Sequence, residues 1–435
     1  MKLIQTLKNI WKIEDLRKRL TITFFFIVIY RFGCQVVLPG ISPKQLGELA
    51  KFTKDNGLMQ LLDMFSGGAF SQASIFALGI MPYITASIVI QLLGMVMPSF
   101  QKMQREGESG RMKLNQYTRY LTVIILLVQA PAYLFNLIHQ VGGEISAYNM
   151  VFLTIVLTAG AMFIMWLGEK ITDKGIGNGI SLIIFVGIIA RFPSAFWSEF
   201  AFRYSNAQGG LVMFLVEIIV LFAVTAGAVM LTQGTRKVPV QYAKRIVGNK
   251  QYGGARQYIP LKVNAANVMP IIFAQALMFI PITIAGFSSN GSSFAATFSD
   301  INGFWYNLVY FLLIVAFTYF YTAITVRPTQ MAEEMKKNSG FIPGIKPGKK
   351  TAEYLDSIMS RITLPGSIFL GIVAIMPAFA RLLGVNQNFA QFFGGTSLLI
   401  SVGVILDTLQ QIETHLRMHH YDGLMKSGKI KGRAS

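Results

Sequence analysis

Cysteine and charge are what this chain has least of. Cys34 is the one cysteine in 435 residues, so no internal disulfide can staple the fold. Charged residues make up 14% of the sequence, against about 25% in soluble domains. Acids are scarcer than bases, 20 against 39, leaving a formal charge of +19. Histidine occurs four times. His139 lies at an outer span end, and no Cys or acidic cluster accompanies His415, His419 and His420 to complete a metal site. No paired catalytic residues stand out, so an enzyme is not expected, and neither is a cofactor.

Long apolar runs fill the space. Hydrophobic residues reach 53% and mean hydropathy is +0.50. A spanning helix needs about 20 apolar residues to cross roughly 30 Å of hydrocarbon. Ten runs read as spans: 20–38, 73–96, 117–138, 150–167, 180–192, 211–231, 268–287, 305–326, 362–382 and 392–409. The fifth is short and is expected to extend past these limits. The predicted fold class is an all-α polytopic membrane protein. Ten spans divide as five plus five, and an odd number per half inverts the second half relative to the first, a common architecture of transport proteins. The division rests on the count, since no residue-level repeat joins the halves. It gives an amphipathic segment 1–19, a first half 20–192, an outer hinge loop 193–210, a second half 211–409 and a tail 410–435.

The basic residues are unevenly placed. On this assignment 32 of the 39 Lys and Arg fall on one side and six on the other, with Arg31 inside span one. The rich side is cytoplasmic, which puts both termini there. Topology alone rarely needs as many as the loop 233–265 carries: Arg236, Lys237, Lys244, Arg245, Lys250, Arg256 and Lys262, with no acid. Its alternating VPVQYA stretch, with Gly253, Gly254 and Pro260, predicts a protruding hairpin. The loop 327–361 has turn signals at Gly340, Pro343, Gly344, Pro347 and Gly348. Two structured basic projections on one face predict a docking platform for a protein, ribosomal RNA or anionic lipid head groups, with plain membrane anchoring as the alternative.

One hydrophobic segment breaks in its middle. Leu58–Phe65 is a short amphipathic run carrying Asp63; Ser66, Gly67 and Gly68 interrupt it, and a full apolar run follows to Leu93. The first part cannot span alone. Non-helical backbone at membrane depth survives only where protein or a water-filled cavity surrounds it, so this half-helix is expected inside the bundle. Such a fold points to a channel or a transporter. A small-solute transporter sets polar or unwound groups at the midplane, and here the span centres are aliphatic. Ile80 and Ile84 lie one helical turn apart, as do Ile184 and Ile188; such pairs pack, face lipid, or gate a pore by excluding water. Glu217 and Asp407 are the notable acids in spans. Both sit near span ends without an evident partner, and Arg31 reads as interfacial. The GIGNG stretch, Gly175–Gly179, imitates a phosphate loop but follows a helix, not a strand, so it reads as a tight turn.

Four blocks carry a resemblance: MFSGGAFSQASIFALGIMPYITAS (64–87), WLGEKITDKGIGNGIS (166–181), GFIPGIKPGKKT (340–351) and FFGGTSLLI (392–400). With them the chain resembles, nearly end to end, the SecY/Sec61-alpha family, the pore-forming subunits of the Sec protein translocation channel. The resemblance implies a central pore between the halves that conducts unfolded polypeptide across the cytoplasmic (inner) membrane and releases spans sideways into lipid. It makes 58–70 a plug, including Leu61, Leu62, Asp63, Met64 and Phe65, with Gly67 and Gly68 as hinge. It places Ile80, Ile84, Ile184, Ile188, Ile272 and Ile400 in a pore ring. Spans two, three, seven and eight become a lateral gate, with Thr85, Gln129 and Gln275 as a polar patch. Arg236, Lys237, Arg245 and Lys346 become docking residues for the SecA ATPase or the ribosome. Lys346 stands where the family usually has arginine; it keeps the charge and loses the planar bidentate fork. The implied partners are SecE, SecG, SecA, the ribosome, signal peptides, precursor proteins and membrane lipids. The rival reading is an inverted-repeat secondary transporter of a small solute.

Overall fold

The computed structural model describes residues 11, 13–41, 47, 49, 60, 63–141, 146–205, 210–242, 245–247, 250–252, 256–266, 268–275, 277–278 and 303–426, without the side chains of a few helix and strand positions inside them. Leu61 and Leu62 of the expected plug and residues 279–287 of the expected seventh span lie outside the described residues.

Helices dominate, and the protein itself covers little of them. Among the described residues, seven helices are long and apolar enough to cross a membrane, or up to eight if one bent pair is counted. Gly210–Gln233 has a mean hydropathy of 2.5 over its apolar window, yet 17% of that window is buried. Phe222, Val212 and Val216 on it are exposed. An apolar surface of that extent requires lipid as its solvent.

The chain forms two compact units, Met1–Ser194 with Val404–Ser435, and Ala195–Gly403. In the first, α1 (Glu14–Gly33) packs on α5 (Ala147–Lys174), and α4 (Glu108–Val141) packs on α2 (Met81–Val96), α3 (Pro98–Arg105) and α5. The unit closes with α6 (Gly179–Ser205) up to Ser194 and α12 (Gly395–Lys426) from Val404. The fifth span, expected at 180–192, continues through Pro193 to Ser205 as one helix. The hinge loop expected at 193–210 is therefore helical over most of its length.

The second span also differs from expectation. The run from Ala73 reads as one apolar helix, yet residues 66–80 form successive turns and the helix begins at Met81. Local hydrogen bonds compete with the helix there: Ser66 Oγ accepts from the Phe70 amide at 3.1 Å and Ser74 Oγ from the Phe76 amide at 3.2 Å. Ala73 takes a positive φ of 43°. The chain entering from α1 supplies replacement partners, with the Leu38 amide donating to Ala73 O and the Ile75 amide to Val36 O, both at 2.9 Å. Phe70, Ala73 and Ala77 are buried against Tyr133 and Leu134 of α4 and Leu153 and Leu157 of α5. A Cβ at Gly160 of α5 would lie 2.3 Å from the Ile75 carbonyl oxygen, so glycine there permits the close approach.

The second unit carries α7 (Gly210–Gln233), α8 (Phe304–Thr325), α9 (Pro328–Lys337), α10 (Lys349–Leu382) and α11 (Gln387–Ala390). Between α7 and α8 come β1 (Thr235–Tyr242), β2 (Arg245–Val247), β3 (Lys250–Tyr252) and β4 (Arg256–Lys262). β1 pairs antiparallel with β4, Val238 opposite Ile259, and its last residues pair with β5 (Gly340–Phe341). β2 and β3 pair with each other. Val238 and Val240 point inward and are buried, while Lys237 and Pro239 are exposed, the period of two that a half-buried strand requires. With Leu261, Met335, Ile342, Leu355 and Met359 they form one apolar cluster. The two basic loops expected as separate projections thus share a sheet and a core.

Candidate functional site

The broken segment is tied to three helices of the first unit, α1, α4 and α6. Asp63 is 1% exposed and forms an ion pair with Arg191 of α6. Its Oδ1 accepts from the Ser71 amide at 2.7 Å, and Arg191 Nη2 donates to Ser71 Oγ at 3.0 Å. Arg31 Nη1 donates to Gly67 O at 3.0 Å, Tyr30 OH to Ser66 O at 3.3 Å, and Tyr133 OH to Phe70 O at 3.0 Å. Gly67 and Gly68 both take positive φ, 67° and 95°. A Cβ at Gly67 would lie 2.7 Å from Arg31 Nη1 and 2.9 Å from Gly187 Cα. Glycine is needed here both for its conformation and for the close approach to α6. Met64 and Phe65 are buried.

Arg31 and Arg191 were not legible as functional residues. Arg31 reads as interfacial and Arg191 as an outer topology charge, yet both face the broken segment. The available signal was Asp63 itself, since a buried carboxylate demands a cation or several donors.

The expected ring residues divide between the units. Ile80, Ile184 and Ile188 in the first are buried, and Ile84 is half-buried. Ile184 and Ile188 flank Gly187, against which the Phe65–Gly67 backbone packs. In the second unit Ile400 is buried and Ile272 half-buried. Of the expected gate residues, Thr85 donates to Met81 O on its own helix at 3.1 Å, Gln129 is exposed on α4, and Gln275 of the second unit is buried. Arg236 and Lys237 are exposed on β1, and Lys346 is exposed in the turn between β5 and α10. The Lys346 carbonyl accepts from Thr351 Oγ1 at 3.0 Å, which fixes that turn to the start of α10. Arg245 lies in β2, its side chain outside the described residues.

Two further expectations change. Glu217 has a partner: Arg203 Nη2 donates to Glu217 Oε1 at 2.5 Å while its Nε donates to Glu199 Oε1 at 3.0 Å. All three side chains are 4% exposed or less. Arg203 also donates to Gly384 O at 3.0 Å, and Glu199 Oε2 accepts from the Asn386 amide at 2.9 Å. This buried knot joins the end of α6 to α7 and to the turn before α11. Asp407 is exposed and accepts from Gln411 Nε2 at 3.4 Å. Gln411 Oε1 in turn accepts from the Gly177 amide at 2.9 Å. In the same GIGNG turn the Ile176 amide donates to Thr23 Oγ1 and the Gly179 amide to Thr172 Oγ1. Protein side chains hold these amides, as a structural turn requires and a phosphate loop does not.

The SecY family model matches residues 74–409. The protein translocase subunit SecY of Streptomyces scabiei is 45% identical over 433 residues, covering 96% of this chain and 98% of that protein. The fold matches a solved SecY structure described as one whose plug domain stabilizes the closed state of the translocation channel and maintains a membrane seal, with a TM-score of 0.60, 19% identity and 92% of each chain covered. It also matches Sec61 in the canine ribosome–channel complex from the endoplasmic reticulum, with a TM-score of 0.56, 18% identity and 92% of each chain covered. With a family model spanning most of its length and a relative aligned nearly end to end, the chain belongs to the SecY family.

Proposed function

We propose that this chain is the central pore subunit of a protein-conducting channel in the cytoplasmic membrane. It passes unfolded secretory polypeptides across and releases transmembrane segments laterally into lipid. The observation that carries the reading is the turn-built stretch 66–80, enclosed by protein and held by side chains of α1, α4 and α6. Unwound backbone at membrane depth survives only where protein or a water-filled cavity surrounds it, which suits a segment that closes a pathway. Segment 58–70 is the plug and Gly67–Gly68 its hinge. Ile80, Ile84, Ile184, Ile188, Ile272 and Ile400 form the ring around the translocating chain. Branched aliphatic side chains offer no hydrogen bonds, so the ring favours no particular substrate sequence, and when empty it excludes water and ions.

Ten spans in two inverted halves put both termini in the cytoplasm. Spans two, three, seven and eight form the lateral gate, with Thr85, Gln129 and Gln275 across it. A signal peptide's apolar core gains about 1.5–3 kcal/mol per large side chain that leaves water, which is enough to sort it sideways into lipid. Arg236, Lys237, Arg245 and Lys346 dock SecA or the ribosome, and SecE and SecG complete the channel. The shared core beneath β1 and β5 supports a single rigid docking platform over two independent loops. The chain performs no bond chemistry; energy comes from its partners or the proton-motive force.

The test is reconstitution. Proteoliposomes holding this chain, its small partner subunits and SecA should make a secretory precursor protease-resistant in an ATP-dependent manner. Uptake of a small solute with no precursor protection would instead establish the transporter reading.

A further inference from the structure

We propose that Asp63 and Arg191 form an ion-pair latch that positions the plug in the closed channel; the inference rests on the reading of 58–70 as a plug. The two residues belong to different elements, the broken segment and α6, and the guanidinium of Arg191 reaches both Asp63 and Ser71. Ser71 closes the circuit: its amide donates to Asp63 Oδ1, and its hydroxyl donates to Gly68 O at 3.2 Å. One arginine thereby fixes both ends of the turn 63–71. Arg31 holds the middle of that turn from α1 through Gly67 O.

The two partners are unequally placed, and that sets the behaviour of the latch. Asp63 is 1% exposed and Arg191 31%. Asp63 in the closed position therefore depends on its cation and donors, because a buried carboxylate left unpaired carries the full desolvation penalty. Arg191 can hydrate where it stands. If the plug swings out, Asp63 goes with it and recovers water while Arg191 stays on the channel wall. Rehydration of both charges offsets much of the lost attraction, so the pair selects one seated position without making opening prohibitive. The latch is a specificity device for plug position more than a source of affinity.

The test is resting ion conductance in planar bilayers of the full chain with its small partner subunits. Six forms are compared: the parent, Arg191→Gln, Arg191→Lys, Asp63→Asn, the double variant, and a deletion of 58–70. Arg191→Gln takes the cation away from the buried Asp63 carboxylate and should raise resting conductance about tenfold. Asp63→Asn should raise it less, and the double variant should return to within about twofold of the parent, since no buried charge is left unpaired. Arg191→Lys, which keeps the charge, should stay near the parent and shows that the site tolerates substitution in a folded channel. If the deletion leaks while Arg191→Gln matches the parent, the plug reading stands and the latch falls. If the double variant leaks as much as Arg191→Gln or more, charge pairing is not the cause and the latch falls. If the deletion itself does not leak, the plug reading fails and takes the latch with it.

Discussion

Arg203 sits between two carboxylates in a pocket that water does not reach, with Glu199 and Glu217 both within hydrogen-bond distance. Truncating one member of such a cluster leaves charges buried without compensation and costs about 3–5 kcal/mol. Arg203→Ala should therefore lower the thermal unfolding midpoint of the purified protein clearly, while Glu217→Gln, which leaves Arg203 its bonds to Glu199 and Gly384, should lower it less. Equal midpoints for parent and Arg203→Ala would show that the knot has no structural weight. The spacing of Glu199 and Arg203, four apart on a helix, was readable from sequence once 193–205 was known to be helical; as an expected loop, it hid the pair. The ring isoleucines make a second residue-scale prediction. Replacing Ile84 and Ile188 together with glycine removes two branched side chains from the proposed gasket and should raise ion leak several-fold in planar bilayers; unchanged conductance in a channel whose plug has also been deleted would count against the ring.

At the scale of elements, hydropathy located the long helices well. Spans three to six and eight to ten each lie within or overlap a long apolar helix among the described residues. The unwound stretch 73–80 was not legible, because a buried apolar run has the same composition whether helical or not. Its turns are fixed by Ala73 and Ile75 hydrogen-bonding Leu38 and Val36, with Ser74 bridged to Val37, partners far away in sequence. The hairpin in 233–265 was legible from alternation and turn residues. Its union with 327–361 was not, since a two-residue strand such as β5 has no pattern of its own. That union gives a separable prediction. Val240→Asp puts a carboxylate into the shared core and should open both loops to limited proteolysis. Arg236→Ala with Lys237→Ala should leave the protease pattern unchanged and weaken SecA or ribosome binding, by a margin that shrinks as salt rises. Proteolysis of one loop alone in Val240→Asp would contradict the common core.

Across the whole molecule, the uneven spread of Lys and Arg is the strongest long-range signal in the sequence. It predicts that cysteines placed at Ser427 and at Lys237 react with a membrane-impermeant thiol reagent from the cytoplasmic face only, in a Cys34→Ser background; labelling from the outer face would reverse the orientation. The family was legible from four short blocks, because those blocks hold the turns and glycines that close packing requires, Gly67 and Gly68 among them. The ion pairs of Arg191 with Asp63 and of Arg203 with Glu217 escaped notice because each joins parts of the chain that no local pattern connects. The central claim is that unfolded polypeptide passes through the isoleucine ring. Photoreactive residues at Ile84 and Ile272, in proteoliposomes holding this chain, its small partner subunits, SecA and a stalled secretory precursor, test it most directly. The account predicts ATP-dependent cross-links to the precursor from both positions; confirmed insertion of the precursor without an adduct at either position would contradict it.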